Sequence, residues 1–207
     1  MTQNERKLAK QLLDKSREAF VMGLEVFNKP TLRYRVEGFV FFMCNAWELL
    51  LKAEIIKRFG MDSIYYKDNI DRTISLSDAI RRIFTNDKDP LRKNLEKIIE
   101  LRNTSTHFIT EEYGIIYAPL FQACVLNYRN KMFEFAEVDV AESIPDNFLT
   151  LSINIGDFSD ESIKVKYDSE LAKKLINRRN DLALLEKEAD NPKFSISIRQ
   201  DIYITKN

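Results

Sequence analysis

Net charge is what this chain most obviously lacks: 32 lysines and arginines balance 32 aspartates and glutamates over 207 residues. Whole-molecule charge therefore gives no argument for nucleic-acid or membrane binding, and only a local basic site remains open. Long apolar runs are missing too. The most apolar stretch, Phe39 to Leu51, already carries Asn45 and Glu48 and falls short of the roughly 20 residues a membrane span needs, so no bilayer crossing is expected. Cysteine occurs twice. Cys44 and Cys124 lie far apart in apolar helical stretches without Cys-x-x-Cys spacing, which argues against a zinc site and predicts two buried, reduced core residues. No glycine-rich phosphate loop and no cluster of metal-ligating residues occurs, so an ATPase or metallonuclease has no support and neither cofactor nor metal is expected. The polar N-terminus, Met1-Thr-Gln-Asn-Glu-Arg-Lys7, lacks the apolar run and cleavage site of a signal peptide, and a cytoplasmic location is the default expectation. Histidine occurs once, at position 107.

What is present suits a packed core: 44% of the residues are apolar, enough for one domain, or one domain with a small appendage. From Leu8 to Phe27, apolar or small residues recur at three-and-four spacing, which predicts an amphipathic helix that Asn28-Lys29-Pro30 stops. The segment from Leu32 to Phe59 is apolar nearly all round, the mark of a central buried helix, with Gly60 at its end. Trp47 and the phenylalanines at 39, 41 and 42 are assigned to the core rather than to a base-stacking platform. Ser75-Leu-Ser-Asp78 resembles a capping-box start for a short helix, and Asp89-Pro90 supplies an N-cap and first-turn proline for another running to Arg102. Gly114 breaks the pattern, and Tyr117 to Phe135 define one more helix. Five helices with modest loops predict an up-and-down bundle.

Beyond Glu142 the period changes to two, at Leu149 to Ile155, at Ile163/Val165/Tyr167, at Phe194/Ile196/Ile198 and at Ile202/Ile204, which predicts strands. Ser169 to about Ala189 reads as a helix between them. The expected fold class is mainly α, a helical bundle over residues 1–142 with a small C-terminal α+β appendage over residues 143–207.

The lone histidine closes the run Arg102-Asn103-Thr-Ser-Thr-His107. Histidine is the side chain whose unperturbed pKa suits proton transfer near neutral pH. On a continuing helix Asn103 and His107 share a face, while Arg102 sits about 140° away from His107. Convergence of all three requires a helix break near Thr104 or a seam between helices. Arginine can hold a phosphate bidentately and stabilise charge in a transition state, histidine can act as base or acid, and Asn103 can orient either. By itself the spacing is weak, since an arginine falls suitably before a given histidine roughly one time in five by chance.

The wider sequence adds to it. A bundle whose penultimate helix ends in Arg-Asn-x-x-x-His resembles the HEPN superfamily of higher eukaryotic and prokaryotic nucleotide-binding domains, over about residues 8 to 137. More narrowly, Lys15-Ser-Arg-Glu-Ala-Phe20, Phe27-Asn-Lys-Pro30, Tyr34-Arg-Val-Glu-Gly-Phe39 and Asn45-Ala-Trp-Glu-Leu-Leu-Leu-Lys52 resemble a prokaryotic HEPN subfamily of unassigned function. The resemblance implies metal-independent RNA cleavage, in which a ribose 2′-hydroxyl attacks the adjacent phosphate to leave a 2′,3′-cyclic phosphate and a 5′-hydroxyl. It also implies a toxin or phage-defence role and a homodimer, whose twofold axis would give a composite site two histidines where one chain has one. The alternative it leaves open is a non-catalytic module that binds RNA or a partner protein. The appendage is open to roles as a sensor, a selector of substrate or a docking place for an inhibitor.

Asn45, Glu48 and Lys52 interrupt the most apolar helix on one face, and buried polar groups demand partners. Two readings stand for Glu48. Either it holds Arg102 by a charge-assisted hydrogen bond with Asn45 beside it, or it forms an exposed i, i+4 pair with Lys52 worth a few tenths of a kcal/mol, roughly. The basic pairs Arg33/Arg35, Arg81/Arg82 and Arg178/Arg179 are read as solvated faces, and Thr104, Ser105 and Thr106 as helix-end hydrogen bonders.

Overall fold

Thr2 opens the first helix by a reciprocal cap: its hydroxyl accepts from the Glu5 amide and the Glu5 carboxylate accepts from its own amide. The helix, α1 (Gln3–Phe27), ends at Asn28, as the sequence predicts, and is followed by α2 (Arg35–Phe59), which Gly60 closes in a left-handed conformation, φ +84°. A computed structural model describes residues 1–67, 69–104, 111–144 and 160–197 of the chain. The two long helices run antiparallel, because Glu5 near the start of α1 also accepts from the Met61 amide just past the end of α2. Next come a two-stranded antiparallel hairpin, β1 (Tyr65–Tyr66) and β2 (Asn69–Thr73), then α3 (Leu76–Ile83), α4 (Pro90–Thr104), α5 (Glu111–Ile116) and α6 (Ala118–Ala136). Two further helices follow, α7 (Asp160–Lys166) and α8 (Ser169–Ala189), and short 3-10 turns lie at Met61–Ile64 and Val140–Ser143. The fold is mainly α.

Helix α2 is the axis of the core. It packs against α1, α3, α4, α5 and α6, and Val40, Met43, Ala46, Trp47, Leu50, Leu51 and Ile55 are fully enclosed, so an all-round apolar sequence became a central helix. Polar atoms inside link the helices. Ser16 Oγ donates to the Ala46 carbonyl at 2.6 Å and shares a hydrogen bond with Tyr128 Oη at 2.7 Å, while Trp47 Nε1 donates to Cys124 Sγ at 3.3 Å. These bonds tie α1, α2 and α6 together. Phe20 stacks on Tyr128 with ring centroids 4.3 Å apart. Both cysteines are buried free thiols.

Several expectations require correction. Phe41 is 58% exposed, although Phe39 beside it is core, because Phe41 falls on the outward face of α2 with Tyr34 and Asn45. Gly114 does not break a helix but lies within α5, where a Cβ would come within 3.3 Å of Val36 on α2. It permits close approach of two helices. The hairpin at Tyr65 to Thr73 is an element the sequence reading did not find.

Ile163, Val165 and Tyr167 do not form a strand. Asp160 to Lys166 is helical, with Asp160 and Glu161 in the first turn and Lys164 and Lys166 in the last, the charge order that suits the helix dipole. Ile163 is buried and Val165 is exposed, while Tyr167, four residues after Ile163, packs against the core; three alternating residues fit this period as well as a strand. Phe194 is buried in a turn, and the Ile196 amide donates to the Pro119 carbonyl. The strand readings at Leu149 to Ile155, Ile198 and Ile202/Ile204 lie outside the described residues. The segment after α8 is held to the bundle by side-chain amides: Asn94 Nδ2 on α4 donates to the Phe194 carbonyl at 2.7 Å and to the Leu120 carbonyl at 3.0 Å, and Asn127 Nδ2 donates to the Lys193 carbonyl at 2.7 Å.

Candidate active site at the end of α4

Asp89 caps α4 by accepting from the Leu91 amide at 2.8 Å, and the helix runs to Thr104, two residues further than the sequence predicts. Its last turn therefore carries Arg102, Asn103 and Thr104. Positions two apart on a helix diverge by about 200°, so Glu100 and Thr104 face one way and Arg102 the other. Thr104 Oγ1 donates to the Glu100 carbonyl at 2.8 Å, the helix-end bond expected of it.

Arg102 is half-buried against α2. Its guanidinium faces the Cys44 thiol closely enough to draw down a pKa that burial raises; the nearby Glu48 carboxylate pushes the same thiol up, and the net value is about 12. Arg102 Nε and Nη2 both lie 3.4 Å from Asn103 Oδ1, and Asn103 itself is exposed. Glu37, Phe41, Cys44 and Glu48 fall at i, i+4, i+7 and i+11 on α2 and form one stripe, with exposed Asn45 along its edge. The structure thus brings Arg102, Asn103, Glu48 and Cys44 into one neighbourhood. His107 lies outside the described residues, as do Ser105 and Thr106.

Glu48 also accepts from Lys52 Nζ at 2.5 Å, and Lys52 donates in turn to Thr73 Oγ1 at 2.8 Å. The i, i+4 pair read from sequence is present, but its lysine side chain is only 6% exposed, not part of a solvated strip, because the hairpin covers it. Glu48→Ala would take the carboxylate from that ammonium and leave it the Thr73 hydroxyl. The expected cost is about 1–3 kcal/mol, read as a lower urea midpoint; an unchanged midpoint would show that the pair contributes nothing to the fold.

Glu37 escaped the sequence reading. Its Oε2 is buried without a hydrogen-bond partner among the described residues, and partial burial raises its pKa, the condition of a carboxyl that can carry a proton nearer to neutral pH. The signal was its spacing of seven and eleven residues from Cys44 and Glu48. On the opposite side of α4's end, a cavity of about 730 Å³ is lined by Thr104, Tyr113, Leu171, Lys174, Asn177 and Arg178, among others. Arg102 does not line it, in keeping with its direction towards α2. Two of the three basic pairs find partners within the chain: Arg81 with Asp78 at 3.6 Å, Arg82 with the Ser63 carbonyl, Arg178 with Glu100 at 3.1 Å and Arg179 with Asp160. Among the described residues no group of three or more histidine, cysteine, aspartate or glutamate side chains is placed to hold a metal ion. None of the described helices is long and apolar enough to cross a membrane.

Residues 11–184 match the model of a family described as a domain of unknown function, DUF3644. The chain belongs to the DUF3644 family. The DUF3644 match extends from α1 through most of α8, and the matched span covers the end of α4 and the helices packed around it. No curated protein and no solved structure matches the chain.

Proposed function

We propose that this DUF3644 protein is a metal-independent endoribonuclease of the HEPN type, acting in the cytoplasm as a toxin or phage-defence effector. The observation that carries the reading is Arg102: a half-buried guanidinium on the last turn of α4, set against the Cys44 and Glu48 face of α2, next to exposed Asn103 and five residues before the chain's one histidine. Arg102 binds the scissile phosphate and offsets its developing charge. A base removes the ribose 2′-proton, the 2′-oxygen attacks phosphorus, the bond to the 5′-oxygen breaks and an acid protonates the leaving oxygen. His107 supplies one of these transfers and the second copy's motif supplies the other. Exposed Tyr34, Phe41 and Asn45 on the outward face of α2 give a second copy a surface on which to seat.

The test is incubation of the purified protein with total RNA and tRNA in EDTA, followed by end-group analysis. Products with 2′,3′-cyclic phosphate and 5′-hydroxyl ends are expected, from a dimer by light scattering. A monomer at micromolar concentration that still cut RNA would end the composite-site arrangement. The internal pairing of Arg82, Arg178 and Arg179 favours a second reading, a HEPN module that binds RNA or a protein partner without cutting. RNA retained by the protein yet recovered at full length would decide for it.

A further inference from the structure

We propose that the cavity between α8, α5 and the end of α4 is a subsite for a guanine base, read by Asn177 and Asp181; that the guanine belongs to RNA rests on the ribonuclease reading above. The cavity holds about 730 Å³, within the range of about 300–1,000 Å³ that small-molecule sites occupy. Its walls are apolar where they are fixed. Tyr113 is 9% exposed, and its ring is held parallel to that of Tyr117, 4° apart in plane with centroids at 5.8 Å, while half-buried Leu171 packs against the core. A flat base can lie against such a surface. Thr104 lines the same cavity and stands two residues past Arg102 on α4, so the two sites share one helix end.

The charges in the lining decide what enters. Lys174 Nζ pairs with Glu170 at 2.8 Å and Arg178 Nη1 with Glu100 at 3.1 Å, so both cations are already offset within the chain and the cavity is no receptor for a bare phosphate. Asp168 is engaged too, accepting from the Glu170 and Leu171 amides at 3.0 Å. Asn177 and Asp181 are left. Neither hydrogen-bonds or ion-pairs with another described residue, both line the cavity, and one helical turn sets their Cβ atoms about 5–6 Å apart, the scale of a purine edge. An ionised carboxylate only accepts and is best matched by two parallel N–H donors, whereas an amide both donates and accepts. Guanine supplies both halves: N1–H and the exocyclic amine for Asp181, and O6 or N7 for the Asn177 amide. Adenine and uracil lack the adjacent donor pair. The arginine side chain of a protein partner has the donors but no acceptor for the amide N–H, and it would meet Lys174 and Arg178 as like charges.

In titrations of the full chain followed by its amide resonances, guanosine monophosphate should shift the Asn177 side-chain amide and bind about tenfold or more tighter than adenosine monophosphate, with inosine monophosphate, which lacks only the exocyclic amine, in between. Asp181→Asn keeps the shape but turns donors towards donors, and should cost about tenfold or more in guanosine monophosphate affinity. Its helical circular dichroism should stay unchanged, since the Asp181 side chain is exposed. In cleavage of an oligonucleotide of mixed sequence, the ratio of cuts beside guanine to cuts elsewhere should fall in the same variant. Equal binding of the guanine and adenine nucleotides, or a guanosine monophosphate affinity that survives Asp181→Asn, would overturn the proposal. Tighter binding of N-acetylarginine amide than of any nucleotide would overturn it in favour of a basic peptide. If the wild type cuts no RNA, the ribonuclease reading fails, and the nucleotide titration still decides whether the cavity reads guanine.

Discussion

Replacing His107 by alanine should slow RNA cleavage by about 10² to 10⁴, the share a positioned acid or base contributes, and Arg102→Ala should cost on the order of 10² to 10³ as a lost charge stabiliser. The two losses should not add, because groups that act as one unit fail together. Both variants should keep their helical circular dichroism, since Arg102 sits on the terminal turn of α4 and not in the core. Release of 2′,3′-cyclic phosphate ends from labelled tRNA in EDTA is the measurement. Undiminished cleavage by the His107 variant would remove the histidine from the chemistry. Residual activity that EDTA suppressed would point instead to a metal-dependent contaminant or mechanism.

Trp47→Ala should have the largest effect on stability. Its side chain is fully enclosed on the central helix, donates to Cys124 Sγ and meets the Tyr128 ring edge-on at 5.5 Å between centroids. Removing so large a buried ring costs about 3–5 kcal/mol in lost transfer energy and cavity, against a whole-domain stability of about 5–15 kcal/mol. Urea denaturation should show the midpoint fall by about a fifth or more, in that proportion, with the slope kept if the denatured state is unchanged. A shift of under about 1 kcal/mol would mean that α1 and α6 collapse into the space, contrary to the tight Ser16, Ala46 and Tyr128 bonding around it.

The helices were legible where local chemistry and burial agree. Asn28, Gly60, Ser75 and Asp89-Pro90 marked ends that the structure keeps, and the all-round apolar character of Val36 to Ile56 marked α2 as central. Failures came where tertiary contact overrode the local signal. Gly114 reads as a break, yet its missing side chain serves the approach of α5 to Val36. Ile163 and Tyr167 satisfy a helix as readily as a strand, and only packing chooses between them. Phe41 shares the composition of a core run but falls on its outward side. In the candidate site, Arg102, Asn103 and Glu48 could be named because their types and spacings carry chemistry. Cys44 as the surface on which Arg102 rests, the buried Lys52 and the link from Arg178 to Glu100 could not, since each joins elements that sequence alone does not place side by side.

The amide of Asn94 carries a consequence for the order of assembly. Its donor bridges two carbonyls, one 26 and one 100 residues further along the chain, while its own oxygen is buried without a partner among the described residues. During synthesis α4 and α6 can meet long before Phe194 exists, so for most of that time the Asn94 side chain holds one of its two bonds and the slot for Phe194 stands open. Closing a loop of a hundred residues is entropically the most demanding of these steps. The stretch at Phe194, made after the helices it seats on, is thus a plug over Asn94, and it should be among the first to open when the native molecule breathes.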